Sequence, residues 1–181
     1  MSDHAPLPEF WVRKIRSFFV LFDRDLDGIV RKEDYLDWVL ERTKSFLAKD
    51  KQEKYKEYWN AAWNEFWGGP EGKVSVTFEE MMQSHARTFR DPKFAETCKN
   101  WFNLTFDGAD ANSDEFITLQ EYSDFLKCYG VHPLSVTPSF QALDTNHDGL
   151  ISREDFTNAG RDYFVTTDDN PSKLFWGPFL C

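Results

Sequence analysis

Apolar residues along this chain recur at three- and four-residue steps, and each run stops at a short, strongly polar stretch. Trp11, Ile15, Phe18, Phe19 and Phe22 form one run; Tyr35, Trp38 and Val39 form the next. A helix turns once per 3.6 residues, so this spacing gathers each set on one face. The Lys- and Glu-rich stretch 49–67 carries Tyr55, Tyr58, Trp59, Trp63, Phe66 and Trp67 at the same spacing. It predicts an amphipathic helix with its rings turned inward. Further runs are Cys98, Trp101, Phe102 and Phe106; Tyr122, Phe125, Leu126 and Tyr129; Phe140 and Leu143; and Phe156, Ala159, Tyr163 and Phe164. Helices alternating with polar loops predict an all-α fold.

Three of the polar stretches repeat one another: "DRDLDGIVRKED" (23–34), "DANSDEFITLQE" (110–121) and "DTNHDGLISRED" (144–155). Each has oxygen-bearing side chains at positions 1, 3, 5 and 12, with Val or Ile at position 8. Helix, twelve-residue oxygen-rich loop, helix is the EF-hand. Such hands pair, because the short strands around position 8 need each other's backbone groups. The loops starting at residues 110 and 144 are adjacent partners, with Ile117 facing Ile151. The first loop needs a partner between residues 60 and 90, and "GGPEGKVSVTFEEM" (68–81) fits. It keeps Val74 and Val76 for a strand, and Glu71 is its only carboxylate before Glu79. The expected architecture is four EF-hands in two pairs, packed into one compact globule, with a degenerate, metal-free second hand. Residues 1–92 would hold the first pair, 93–167 the second, and 168–181 an apolar tail docked between the halves.

Ca²⁺ takes six to eight oxygens in a tolerant arrangement. The expected ligands of loop one are Asp23, Asp25, Asp27 and Asp34 with the Ile29 carbonyl; Arg31, at position 9, cannot coordinate. Loop three would use Asp110, Asn112, Asp114, Thr118 and Glu121 with the Phe116 carbonyl. Loop four would use Asp144, Asn146, Asp148 and Asp155 with the Leu150 carbonyl, and Ser152 directly or through water. Asp34 and Asp155 replace the usual bidentate glutamate and are one methylene shorter, which favours six-coordination and Mg²⁺. Three Ca²⁺ sites are therefore expected, with Mg²⁺ competing at loops one and four. Glu115 stands at position 6 of loop three, where glycine normally makes a left-handed turn, at a cost of about 1 kcal/mol.

The net charge of −10 and pI near 4.8 argue against nucleic acid and anionic membranes as partners and suit a protein that gathers cations. No run approaches 18 apolar residues, so no membrane span is expected. "MSDHAPLPEFWV" has no signal-peptide pattern and Ser2 excludes N-myristoylation, so a cytoplasmic protein is expected. Cys98, Cys128 and Cys181 lie far apart and read as reduced thiols. No nucleophile–base pair or phosphate-binding loop appears, which indicates a non-enzyme.

The chain also resembles the invertebrate sarcoplasmic calcium-binding proteins, most specifically in "SFQALDTNHDGLISREDFTNAGRDYF" and "KLFWGPFL". The resemblance implies hands one, three and four active, a silent second hand, and Ca²⁺ and Mg²⁺ buffering in muscle cytosol; members of that family are known as shellfish allergens. Phe175, Trp176, Phe179 and Leu180, after the polar linker "TTDDNP", would fill the groove that a sensor exposes. Only Met81 and Met82 accompany Met1, too few for a methionine-rich sensor surface. A buffer is expected, acting as a monomer without an obligatory protein partner. The alternatives are a Ca²⁺ sensor and a luciferin-binding or photoprotein-like carrier. Against the last, the helix after loop four has no histidine; His4, His85, His132 and His147 lie elsewhere, with His85 read as partly buried.

Overall fold

The computed structural model describes residues 7–69, 71–177 and 179, so the expectations resting on Met1, Ser2, His4, Leu180 and Cys181 fall outside it. The first two apolar runs become α1 (Glu9–Val20) and α2 (Lys32–Thr43), with β1 (Ile29–Arg31) just before α2. The ring-bearing stretch becomes α3 (Lys49–Ala62), which continues into a π-helical turn, Trp63–Trp67. In this turn Trp63 and Trp67 both face inward, stacked 5.8 Å apart.

Next come β2 (Ser75–Thr77), α4 (Phe78–Phe89) and α5 (Phe94–Ala109). β3 (Phe116–Ile117), α6 (Leu119–Cys128), α7 (Val136–Leu143), β4 (Ile151–Ser152) and α8 (Arg153–Val165) complete the order. β1 pairs antiparallel with β2, Val30 opposite Val76; β3 pairs antiparallel with β4, Ile117 opposite Ile151. These four apolar residues are buried, which ties each pair of loops into the core. Val74 corrects the sequence reading: it precedes β2 and is 72% exposed, though its carbonyl accepts the Lys32 N–H at 2.8 Å. The strand begins only at Ser75, so Val74 escapes the inward alternation.

Rings from both ends of the chain meet in one core. Phe175 and Trp176 are 0% and 5% exposed. Phe175 lies 5.0 Å from the rings of Phe102 and Phe156, while Trp176 contacts Phe18, Phe125 and Tyr129 at 5.2, 5.8 and 4.8 Å. The Tyr122 hydroxyl donates to the Phe175 carbonyl at 2.8 Å, which fixes the depth of this segment. Helix α1 is latched to α8: Trp11 Nε1 donates to the Phe164 carbonyl and the Tyr163 hydroxyl to the Lys14 carbonyl, each at 2.6 Å. α5 and α8 approach closely at Gly160, where a Cβ would fall 2.3 Å from the Phe102 ring. His85 is fully buried among Phe66, Trp67 and Phe164, not partly buried; desolvation brings its pKa down to about 4.

Candidate metal sites

The three repeated loops share one hydrogen-bonding plan. At position 1, Asp23, Asp110 and Asp144 accept the position-6 N–H of Gly28 (3.1 Å), Glu115 (3.1 Å) and Gly149 (2.9 Å). At position 3, Asp25, Asn112 and Asn146 accept from the N–H of Asp27 (3.4 Å), Asp114 (2.9 Å) and Asp148 (3.1 Å). At position 5, Asp27, Asp114 and Asp148 accept from the N–H of Ile29 (2.8 Å), Phe116 (3.0 Å) and Leu150 (2.9 Å). A carboxylate has about four lone-pair positions, so this plan orients each side chain and leaves oxygen for a cation.

The plan demands a left-handed backbone at two points per loop. Position 4 has φ of 57° at Leu26, 64° at Ser113 and 59° at His147; position 6 has 81° at Gly28, 71° at Glu115 and 83° at Gly149. Glu115 therefore keeps the turn that glycine makes elsewhere. Its carboxylate is held from loop four: Arg153 Nε and Nη2 donate to its two oxygens at 2.8 and 3.1 Å. Arg153 also pairs with Asp107 at 2.8 Å and lies over the Phe106 ring. This two-pronged, charge-assisted contact offsets the backbone strain.

Loops three and four end alike. Thr118 and Glu121, and Ser152 and Asp155, form reciprocal capping boxes that start α6 and α8. Glu121 Oε2 and Asp155 Oδ2 serve the cap, while Glu121 Oε1 and Asp155 Oδ1 turn toward the loop, accepting from Asn112 N–H at 3.4 Å and Thr145 Oγ1 at 2.8 Å. The hydroxyls of Thr118 and Ser152, expected as ligands, are engaged in these caps. Loop one has no such cap. Arg31 donates instead to Asp27 Oδ2 at 2.8 Å and lies 3.9 Å from Asp25 Oδ2, holding the Asp27 carboxyl below its usual range.

The fit of a cation rests on donor chemistry. Asp23, Asp25 and Asp27 offer oxygens within 4.8 Å of one another, and Asp23 Oδ1 is buried without a hydrogen-bond partner. A buried carboxylate oxygen left unpaired is costly, and a hard cation satisfies it. Asp34 is exposed and stands outside that trio. Asp110, Asn112, Asp114, Asp144, Asn146 and Asp148 sit on the shared plan, Thr118, Glu121, Ser152 and Asp155 in the caps, and Ile29, Phe116 and Leu150 at the seventh position of each loop. An all-oxygen set selects Ca²⁺ or Mg²⁺ over softer metals.

Comparison with known proteins agrees. The EF-hand family pattern, described as "EF hand", matches residues 137–158. A sarcoplasmic calcium-binding protein of Perinereis vancaurica tetradentata is 30% identical over 173 residues, covering 95% of this chain and 99% of that one. One from Hediste diversicolor is 28% identical over the same coverage. Among solved structures, the Ca-loaded apo coelenterazine-binding protein of Renilla muelleri superposes with a TM-score of 0.73 at 20% identity, covering 93% of this chain and 95% of that one.

Proposed function

Because the chain belongs to the sarcoplasmic calcium-binding proteins, a non-enzymatic family, we propose that this calcium-binding protein buffers Ca²⁺ and Mg²⁺ in muscle cytosol as a monomer. Loops one, three and four are the proposed sites, with residues 1–92 and 93–167 as the two hand pairs and 168–181 as the plug between them. Mg²⁺ occupies loops one and four at resting Ca²⁺, because Asp34 and Asp155 reach less far than Glu121.

One observation carries buffer over sensor: Phe175 and Trp176 already fill the seam that a sensor would open. Met81 and Met82 are buried as well, so among the described residues no methionine surface is exposed. The carrier reading has a specific feature to answer, an apolar cavity lined by Phe18, Trp59, His85, Trp101, Phe102 and Trp176. Its volume is about 50 Å³. A cavity of about 150 Å³ admits benzene, so even one ring would need the lining to rearrange. The Renilla muelleri protein, which binds coelenterazine, shares the fold at an identity too low to carry its ligand over.

The test is a Ca²⁺ titration in millimolar Mg²⁺ with an apolar dye present. Three ions taken up without new dye fluorescence support the buffer; dye binding on Ca²⁺ addition overturns it.

A further inference from the structure

The second loop contains its own cation. Strand register places Thr77 opposite Ile29, and Thr77 and Glu80 form the same reciprocal contacts as the caps of loops three and four. Glu80 Oε2 accepts from Thr77 N (2.9 Å) and Oγ1 (3.2 Å), and Glu80 N donates to Thr77 Oγ1 (3.2 Å). Glu80, not Glu79, is thus the counterpart of Glu121 and Asp155. Counting back from it makes Lys73 position 5, Glu71 position 3 and Gly69 position 1, so the loop lacks the aspartate that anchors the other three.

The remaining oxygen of Glu80, the one that turns toward the loop in Glu121 and Asp155, meets the Lys73 ammonium. Nζ lies 2.8 Å from Glu80 Oε1 and 3.6 Å from Glu71 Oε2, joining the carboxylates of positions 12 and 3. The Lys73 backbone is pinned: its N–H donates to the Gly68 carbonyl at 3.2 Å and its carbonyl accepts Trp63 Nε1 at 2.8 Å. The hydrogen bond from Lys73 holds the Glu80 carboxyl down at about 2, so it stays ionised.

We propose that Lys73 is a tethered cation standing where a metal ion would bind in the second hand, so that this hand is permanently closed, excludes divalent ions, and presents β2 ready-made to loop one. Glu80 lies in the first turn of α4, bonded to Thr77, and is coupled through it to Ile29, whose carbonyl is an expected ligand. Lys73 is therefore a positioning residue for loop one. The inference rests on loop one holding an ion, and the ion count of the unaltered chain tests that separately.

The experiment is calorimetric Ca²⁺ titration of the full chain, with loop one read alone in a background of Glu121→Gln and Asp155→Asn. Lys73→Met is expected to weaken loop one about three- to tenfold, below the range of about 10- to 100-fold for partners that touch a ligand directly, since Lys73 acts through Glu80 and Thr77, and Lys73→Arg to restore it. In the otherwise unaltered chain, Lys73→Asp is expected to raise uptake by one ion at millimolar Ca²⁺, with the melting temperature lost in the metal-free variant regained on adding the ion. A purely structural lysine would not be replaced by calcium. Unchanged loop-one affinity in Lys73→Met, together with no added ion in Lys73→Asp, overturns the proposal.

Discussion

The two pairs of loops share a topology and differ in where they keep positive charge. In the second pair, position 9 is a hydroxyl, Thr118 or Ser152, engaged in a cap, and both position-12 carboxylates turn an oxygen toward the loop. In the first pair, cations sit among the carboxylates: Arg31 beside Asp27 and Asp25, and Lys73 between Glu71 and Glu80. A bound side-chain cation and a bound metal ion satisfy the same oxygens, so each built-in charge subtracts from what a loop can capture. On this reading loop one, with a partly exposed guanidinium among its carboxylates, should bind more weakly than loops three and four, and the proposed closure of loop two goes with the absence of its first aspartate.

The contrast breaks most sharply at loop three. Glu121→Gln should remove one ion from the total and weaken that loop close to 1,000-fold, from about 4 kcal/mol for stripping one partner from a desolvated charge pair. Equilibrium dialysis reads both numbers; three retained ions would mean that loop three is not a site. Next in size is a property of the seam common to both halves. His85 has a folded pKa of about 4 against an ordinary 6.5, so the unfolded chain binds a proton that the folded chain refuses. Its contribution is present above pH 6.5 and lost as pH falls toward 4, on the order of 3 kcal/mol in all. Denaturant titrations across that window should show this loss, and His85→Gln should flatten it. Smallest is Arg31→Ser, which removes a repelling charge and gives loop one the cap of its counterparts. Its Ca²⁺ affinity should rise about two- to fivefold, given the modest strength of exposed ion pairs; an unchanged value would place the difference between the pairs elsewhere.

The helices and the three loops were legible because both signals are local: a 3.6-residue period of rings and an alternation of oxygens at fixed spacing. Ile117 opposite Ile151 followed from the same spacing. What stayed hidden depends on contacts far apart in sequence. Glu115 read as a weakened turn, because its partner Arg153 lies 38 residues away. Nothing along the chain singles out Lys73, because the sequence alone does not say which glutamate closes the second loop. The left-handed Leu26, Ser113 and His147 carry no common residue type, so only folded geometry reveals that position 4 is as constrained as position 6. His85 looked ordinary until α4 was packed against α8.

Arg153 opens α8 at the tenth position of loop four, yet its guanidinium holds the position-6 side chain of loop three. An ion that stiffens the fourth loop also steadies this arm, and with it the left-handed bend at Glu115. The second pair should then fill cooperatively, releasing calcium over a narrow concentration range, while loop one empties on its own gradual curve.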